Sequence, residues 1–527
     1  MDNAVNGLKI FVKGLGYAMP LVQINQEKTE INLRTDQGAT LLDGLRTTEV
    51  LIPGECGGTG TCGKCRVKVE GLVSELSPAE KGVLSTNEIA AGWRLACYVQ
   101  IIGDCKVYLP ASNSQEENTQ VAESLAVKYL AVDLGSTTIA VGLVDSQGQI
   151  IEQLQADNPQ IIYGSDVLTR LSFALKSDEN RLLLRQIVIN TLNRLLDRLN
   201  LTGIDLICVV GNPAMVHLLE GADIKGLATY PYQGAITGAI WQTAEDLGLT
   251  SMGHTSVYLP PAAGLYVGSD ALVGAMSLWP KDNFLLVDLG TNAEVVARAG
   301  GQWVAVSAAA GPALEGACIY QGMRAQPGAI TDANWLEESI ELRVINRETP
   351  RGICGTGLVQ VIALLREKEV IDFNGMINES ASVPLKIRRG RQGLEVVLYE
   401  DQAYSVVITQ EDIRQFQLAK AAVRVAIDTL ISQMPGHKWQ TIYLAGALGS
   451  NLSVNALRLL GMLPTLPGVS IVAAGNTALQ GAALAAINSE FRQQVEVVAS
   501  QVQVIELANQ PGFQAAFLKQ LSLLANS

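Results

Sequence analysis

Val132-Asp133-Leu134-Gly135-Ser136-Thr137 and Val287-Asp288-Leu289-Gly290-Thr291-Asn292 repeat one pattern at a distance of 155 residues. In each, an apolar run (YLAVDLG at 129–135, FLLVDLG at 284–290) ends on an aspartate, a glycine and a hydroxyl residue. A buried strand breaking into a tight turn is expected to end this way. Further apolar strands, LICVVG (206–211) and TIYLAG (441–446), alternate with helical stretches such as 179–199, where leucine and isoleucine recur at three and four residues. The alternation predicts an α/β body. A period of 155 residues is too long for a solenoid and suits two similar lobes.

The two loops also suggest chemistry. A strand ending in aspartate, glycine and Ser/Thr sets a carboxylate beside hydroxyl and backbone N–H groups that can hold a phosphate. Two such loops facing across a cleft would let two carboxylates hold hydrated Mg2+ over nucleotide phosphates. Either loop alone is equally an ordinary strand-to-turn aspartate, whereas two in matching contexts favour nucleotide binding. Leu444-Ala445-Gly446-Ala447-Leu448-Gly449-Ser450-Asn451 is a third strand breaking into small residues, against which an adenosine ring could lie. By itself it is a strand followed by a turn.

Ahead of this body the pattern differs. From Leu8 to Pro110 short apolar runs (LKIFV, RVKVEG, CKVYLP) alternate with Gly, Pro and Asn, with brief helical pieces such as 41–45, as in small β-rich domains. The polar stretch ASNSQEENTQVAES then reads as a linker. Cys56, Cys62, Cys65 and Cys97 give C-x5-C-x2-C and a fourth cysteine after 31 intervening residues, the first three in the glycine-rich loop GECGGTGTCGKC. Four thiolates can hold a 2Fe–2S core, with glycines letting backbone N–H groups approach its sulfurs. Plant-type ferredoxins have four residues in the first gap, not five. Structural zinc is the rival, but its sites usually pair two short-spaced dyads. Cys105, in a strand context, reads as a buried thiol.

Composition bounds the rest. The 527 residues suit three or four compact units, and a formal charge of −13 with 48% hydrophobic and 17% charged residues is globular. A cationic grip on nucleic acid is not expected. Eight cysteines are too sparse for a disulfide scaffold, and the start MDNAVNGLKI lacks a secretion pattern, so a cytoplasmic location is expected. Leu459 to Ser489 is 31 residues without a charge, but Pro464, Pro467 and four glycines argue for buried strand and helix rather than a membrane span.

CGGTGTCGKCRVKV followed by GWRLACYVQI resembles the ferredoxin domain of the reductive activators of corrinoid proteins. The order of the two aspartate loops and the 444–451 segment resembles the acetate and sugar kinase, heat-shock and actin superfamily (ASKHA). Further matches to the activators are YGSDVLTRL (163–171), GNPAMVHLLEG (211–221), LPPAAGLYVGSDA (259–271), AAAGPALEGA (308–317) and ICGTGLV (353–359). The longer members carry an extra segment between ferredoxin and ATPase that shrinks here to the linker. The resemblance implies a small β-grasp-like α+β ferredoxin domain (1–110), a linker (111–127), and a duplicated α/β ASKHA body of actin-like, ribonuclease H-like lobes (128–280 and 281–490). A helical extension (491–527) follows.

It also implies roles. Cys56, Cys62, Cys65 and Cys97 would ligate the 2Fe–2S cluster. Asp133 and Asp288 would hold Mg2+ through water, with Gly135, Ser136, Thr137, Gly290 and Thr291 on the ATP phosphates and Gly446 and Gly449 on the nucleoside. Glu315, and less so Asp270, could orient the attacking water, against the plainer reading of a capping or salt-bridged carboxylate. For His217 a satisfied or exposed histidine stands against a corrinoid-side contact, and Cys318 and Cys354 are expected to pack in the core.

The implied function is ATP-dependent reductive activation of a corrinoid protein, one electron returning Co(II) to Co(I). The partner-bound corrinoid would be the acceptor, an upstream donor would reduce the cluster, and a homodimer is left open. The alternatives are a 2Fe–2S carrier with a nucleotide-sensing ASKHA module, or activation of a radical or dehydratase enzyme. The latter relatives place 4Fe–4S cysteines at a subunit interface, for which Cys208, Cys318 and Cys354 offer no obvious loop. Residues 54–110 carry six acidic and six basic side chains, so no strongly acidic docking face is evident.

Overall fold

The computed structural model describes residues 19–524 except 27–28, 47, 49–51, 53–55, 57, 59, 61–62, 85, 110–126, 165, 200, 202, 231, 337–338, 391–392, 403 and 450. Cys62, the LKIFV run and all of the expected linker but Val127 lie outside the described residues. The chain divides into two compact units, one of residues 1–54 and 58–114, the other of 55–57 and 115–527.

The first unit is a five-stranded sheet in the order Thr29–Arg34, Leu21–Gln26, Ile101–Tyr108, Arg66–Val73, Trp93–Leu95. Leu21–Gln26 and Ile101–Tyr108 run parallel, and the other neighbours are antiparallel. Alternate residues of these strands (Val22 and Ile24, Cys105 and Val107) point to a core completed by Leu41, Leu42 and Leu45 of the helix Leu41–Arg46. This is the expected α+β sheet, with the RVKVEG and CKVYLP runs as neighbouring central strands.

The second unit repeats one sheet twice. In the first, the strands Val127–Leu134, Thr138–Asp145 and Ile150–Asp157 form an antiparallel meander. Leu206–Gly211 pairs parallel with Val127–Leu134, followed outward by Ser256–Leu259 and Ile240–Thr243. In the second, Phe284–Leu289, Ala293–Ala299 and Gln302–Ala308 make the same meander. Thr441–Ala445 lies parallel beside Phe284–Leu289, and Ser470–Gly475 beyond it. Asp133 and Asp288 thus occupy equivalent places, at the carboxyl ends of central strands, where open α/β sheets leave a crevice. The expected helix at 179–199 spans Asp178–Asp197, started by the Ser177 side chain accepting from Asn180 N–H.

Two helices join the lobes. Ser269–Met276 turns Leu272, Val273 and Met276 toward the core of the first sheet, and Ala271 and Ala275 toward Phe284, Leu286 and Val296 of the second. Thr477–Ile487 crosses it at close range: a Cβ on Gly481 would lie 2.4 Å from the Val273 carbonyl oxygen.

The chain on either side of the expected boundary at 490 packs on both lobes. Thr477–Ile487 and Ser489–Gln501 bury Leu479, Ala482, Phe491 and Val495 on the first lobe, and strand Gln503–Ile505 then joins the second sheet beside Gln302–Ala308. The tail is therefore only partly helical. The uncharged stretch 459–489 does form a strand and a helix, but Ser470–Gly475 is a half-exposed edge and only the helix is buried. Among the described residues no helix is long and apolar enough to cross a membrane.

Gly481→Val should force the two crossing helices apart, because the clashing atom is backbone and cannot swing away. We expect a loss of about 2 kcal/mol and a calorimetric midpoint lower by several degrees.

Candidate functional site

A cleft of about 1070 Å3 opens between the two sheets of the second unit, lined by both aspartate loops. Ser136, Thr137 and Thr138 come from the first loop, and Gly290, Thr291 and Asn292 from the second. Its floor is acidic. Asp288 lies directly opposite Glu294 in the antiparallel ladder, and Asp270 opens the linking helix Ser269–Met276. Like charges facing across a ladder repel.

Burial raises the Asp133 carboxyl to about 6, against a hydrogen bond from Asn476 Nδ2 to its Oδ2 at 2.8 Å that favours the charged form. Burial and the charge of Asp133 raise Asp288 to about 7. Asp270 is raised by burial and by Asp133, and Glu294 by burial together with Asp270 and Asp288. Glu294 Oε1 is buried without a hydrogen-bond partner. An all-oxygen donor set with an orphaned buried carboxylate oxygen fits a hard cation such as Mg2+. Among the described residues no three ligand side chains stand close enough to hold a metal directly, so a cation here would be reached through water.

The two loops are tied by a single side chain. Thr137 Oγ1 donates to Glu315 Oε2 at 2.8 Å, and Thr291 Oγ1 donates to Glu315 Oε1 at 3.0 Å. Glu315 ends the short turn Pro312–Glu315, and its two oxygens span the cleft from one lobe's aspartate loop to the other's. Among the described residues it forms no salt bridge. Behind the first loop, buried Asn158 donates to the Gly135 carbonyl at 2.8 Å. Asn476, besides holding Asp133, caps the helix Thr477–Ile487 by accepting from Leu479 N–H. Neither asparagine was singled out from sequence. Asn476 carries an N-cap signal, but its partner lies 343 residues away.

In the segment expected to meet a nucleoside, Gly446 has φ +83°, and a Cβ there would lie 2.8 Å from Asp288 Oδ1. Only glycine lets this strand end approach the aspartate. Gly449 departs from the expectation: it is buried behind the turn, and Leu448, Asn451, Leu452 and Ser453 line the cleft instead. Gly355 and Thr356, at the start of the helix Gly355–Glu367, also line it. Cys354 just ahead is buried, its Sγ 3.3 Å from the Ile330 oxygen. Cys318, expected in the core, is exposed. It follows the Glu315 turn, where the chain reverses at the surface. His217 is buried and satisfied: Nδ1 lies 2.6 Å from the Pro213 oxygen, and Nε2 accepts from Ile236 N–H at 3.1 Å.

In the first unit, Cys65 is buried and Cys97 half-buried, with their sulfurs 3.3 Å apart, beyond the roughly 2.05 Å of a disulfide. Ala96 N–H donates to the Cys65 carbonyl at 2.8 Å and so holds the two cysteines' backbones together. Gly60 has φ +83°, and a Cβ there would collide with the Tyr98 ring. Glu80, 0% exposed, accepts from Arg94 Nε (2.8 Å), Ser77 N–H (3.0 Å) and Leu95 N–H (3.1 Å), fixing the strand that leads into Cys97. Burial would raise its carboxyl, but these hydrogen bonds and the Arg94 charge lower it overall. Paired thiolates beside a glycine loop fit an iron–sulfur cluster. Cys105 is buried on its strand, as expected.

Known proteins resemble both units. Residues 22–101 match the 2Fe-2S iron-sulfur cluster binding domain, residues 129–278 the RACo middle region, and residues 282–527 the C-terminal domain of RACo, the ASKHA domain. The corrinoid activation enzyme RamQ of Eubacterium limosum is 29% identical over 410 residues, 74% of this chain and 69% of that protein. The Co(II) methylated amine-specific corrinoid protein reductase of Methanosarcina barkeri is 27% identical over 393 residues, 66% of this chain and 68% of that one. A solved structure of a reductive activator for corrinoid, iron-sulfur protein has the same fold, with a TM-score of 0.67 at 24% identity over 96% of this chain and 98% of that one.

Two tests follow from the geometry. Cys97→Ala should abolish the visible absorbance of anaerobically reconstituted protein, and Cys105→Ala should retain it. Because burial raises Asp133 and Asp288 above the ordinary carboxyl range near 4, the folded chain keeps protons that the unfolded chain releases. That contribution to stability is complete below about pH 4 and declines as pH rises through about 6 and about 7. Thermal melts without nucleotide should therefore show Asp133→Asn gaining stability relative to the parent between about pH 5 and about pH 8.

Proposed function

We propose, from the premise that this chain belongs to the RACo family, that it is an ATP-dependent reductive activator that returns a corrinoid protein's Co(II) to Co(I) by one electron. The observation that carries the ATP half of this reading is Glu315, joined by hydrogen bonds to Thr137 of one lobe and Thr291 of the other. The separation of those lobes is thereby coupled to whatever occupies the cleft. When bound, a 2Fe–2S cluster supplies electrons singly, and Cys56, Cys62, Cys65 and Cys97 would hold it.

Asp133 and Asp288 would hold hydrated Mg2+ at the cleft floor, and the N–H and hydroxyl groups of Gly135, Ser136, Thr137, Gly290 and Thr291 would meet the phosphates. Thr137 and Thr291 can turn their hydroxyls from Glu315 to phosphate oxygens, which frees the Glu315 carboxylate to orient a water. Asn476 keeps Asp133 aimed inward throughout. Gly446 and the 448–453 turn would face the nucleoside.

A coupling of this kind has a physical use. One-electron transfer to an acceptor of lower potential is disfavoured tenfold for about every 59 mV, so a deficit of a few hundred millivolts suppresses the product by several orders of magnitude. Nucleotide can offset this only where its bound states differ in affinity for the partner's two conformations. We place the chain in the cytoplasm, where ATP and reduced thiols occur together.

The test is ATP hydrolysis with and without a cobalamin-dependent protein in its Co(II) form. We expect stimulation by the partner. Asp133→Asn should lose both hydrolysis and cobalt reduction, by at least about a hundredfold, with an unchanged cluster spectrum. A simple electron carrier would keep reducing cobalt in that variant, and that outcome would refute the proposal.

A further inference from the structure

Seven carboxylates line the cleft, against two basic side chains among its described lining residues, Arg324 and Arg343. A nucleotide carrying several negative charges therefore meets few fixed cations. Arg343 is 75% exposed and stands 3.8 Å from Asp332, a loose surface pairing. Arg324 is placed differently, in an ion pair with Asp157.

That pair spans the two lobes. Asp157 ends the strand Ile150–Asp157 of the first sheet and lies opposite Thr138, so it borders the 135–137 loop. Arg324 belongs to the second lobe, in the stretch between Glu315 and the strand Ala329–Leu336. The two side chains are 36% and 50% exposed, and water can compete for both. Such a pair adds little to stability. A guanidinium that leaves one half-exposed carboxylate for phosphate oxygens keeps charge-assisted, two-pronged hydrogen bonds and meets a larger negative charge. The other nearby guanidinium, Arg170, is fully buried and gives its Nε–H to the Gly164 oxygen, so it is not available for the exchange.

We propose that Arg324 is a phosphate-contacting residue of the nucleotide site, held across the cleft by Asp157 and transferred to the terminal phosphates when ATP enters. The inference rests on the ATP-binding reading above and adds a prediction of sign. Asp157 competes with phosphate for one guanidinium, so removing either partner of the pair must have opposite effects on ATP affinity. A strut between lobes would make the two removals equivalent.

The experiment is calorimetric titration of the full chain, with cluster and Mg2+, by ATP, ADP and adenosine. Arg324→Gln should weaken ATP binding about tenfold and leave adenosine within about twofold. Asp157→Asn should tighten ATP by about threefold, a gain absent from the double variant. Arg324→Lys, a point charge without the fork, should recover part of the loss. Equal weakening by Arg324→Gln and Asp157→Asn, or unchanged ATP affinity in Arg324→Gln while the parent binds, would overturn the role of the arginine alone. A parent chain that takes up no ATP would overturn the reading beneath it.

Discussion

Four carboxylates, half-buried Asp133, Asp270 and Asp288 and buried Glu294, are gathered at the base of one cleft, and the rest of the second unit is arranged around that electrostatic strain. A buried carboxylate either takes up a proton or is matched by a cation or hydrogen-bond donors. Here the matching from within the chain is slight: Asn476 for Asp133, the Ala271 N–H for Asp270 and a backbone hydrogen bond from Gly268 for Glu294, one oxygen of which has no partner among the described residues. Such a floor is poorly suited to serve as a packing core. It is suited to a site where a bound cation brings the missing charge.

The duplicated sheets explain how the strain is concentrated. Each lobe carries an aspartate next to last in its central strand, and the lobes face one another, so carboxylates 155 residues apart line one cleft. The helices Ser269–Met276 and Thr477–Ile487 cross between the lobes with almost no side chain at Gly481 to separate them. A crossing so close resists separation but allows small sliding, the motion by which packed helices accommodate domain closure. Glu315 then reads both lobes at once through two threonine hydroxyls, and the Arg324–Asp157 pair joins the lobes beside the first loop.

The ferredoxin-like unit solves a separate problem. Thiolates must be held close enough to share a metal, and the sheet does this through backbone bonds rather than bulk. The Ala96–Cys65 hydrogen bond and the fully buried Glu80 with Arg94 fix the approach to Cys97. Removing a partner of such a buried pair would leave an uncompensated charge, so the clamp is a constraint on where Cys97 can sit.

Much of this was legible in the chain itself, for a local reason. Strand alternation, the spacing of Cys56, Cys62, Cys65 and Cys97 and the pair of Asp-Leu-Gly endings are short-range patterns, dictated by the repeat of a strand, the reach of a loop and the geometry of a tight turn. What they could not contain is the pairing of residues distant in sequence. Glu315 between Thr137 and Thr291, Asn476 on Asp133, Glu294 across from Asp288 and Arg324 on Asp157 exist only once two sheets face each other. The same physics accounts for the departures. Gly449 turns away because Leu444 packs behind it, Cys318 surfaces because its turn reverses the chain, and the tail beyond 476 crosses between lobes because each sheet offers it an apolar face. Local sequence determined the elements and the chemistry they carry. Tertiary contact alone decided which charges share one cavity, because burial and proximity belong to the folded arrangement and not to any single segment.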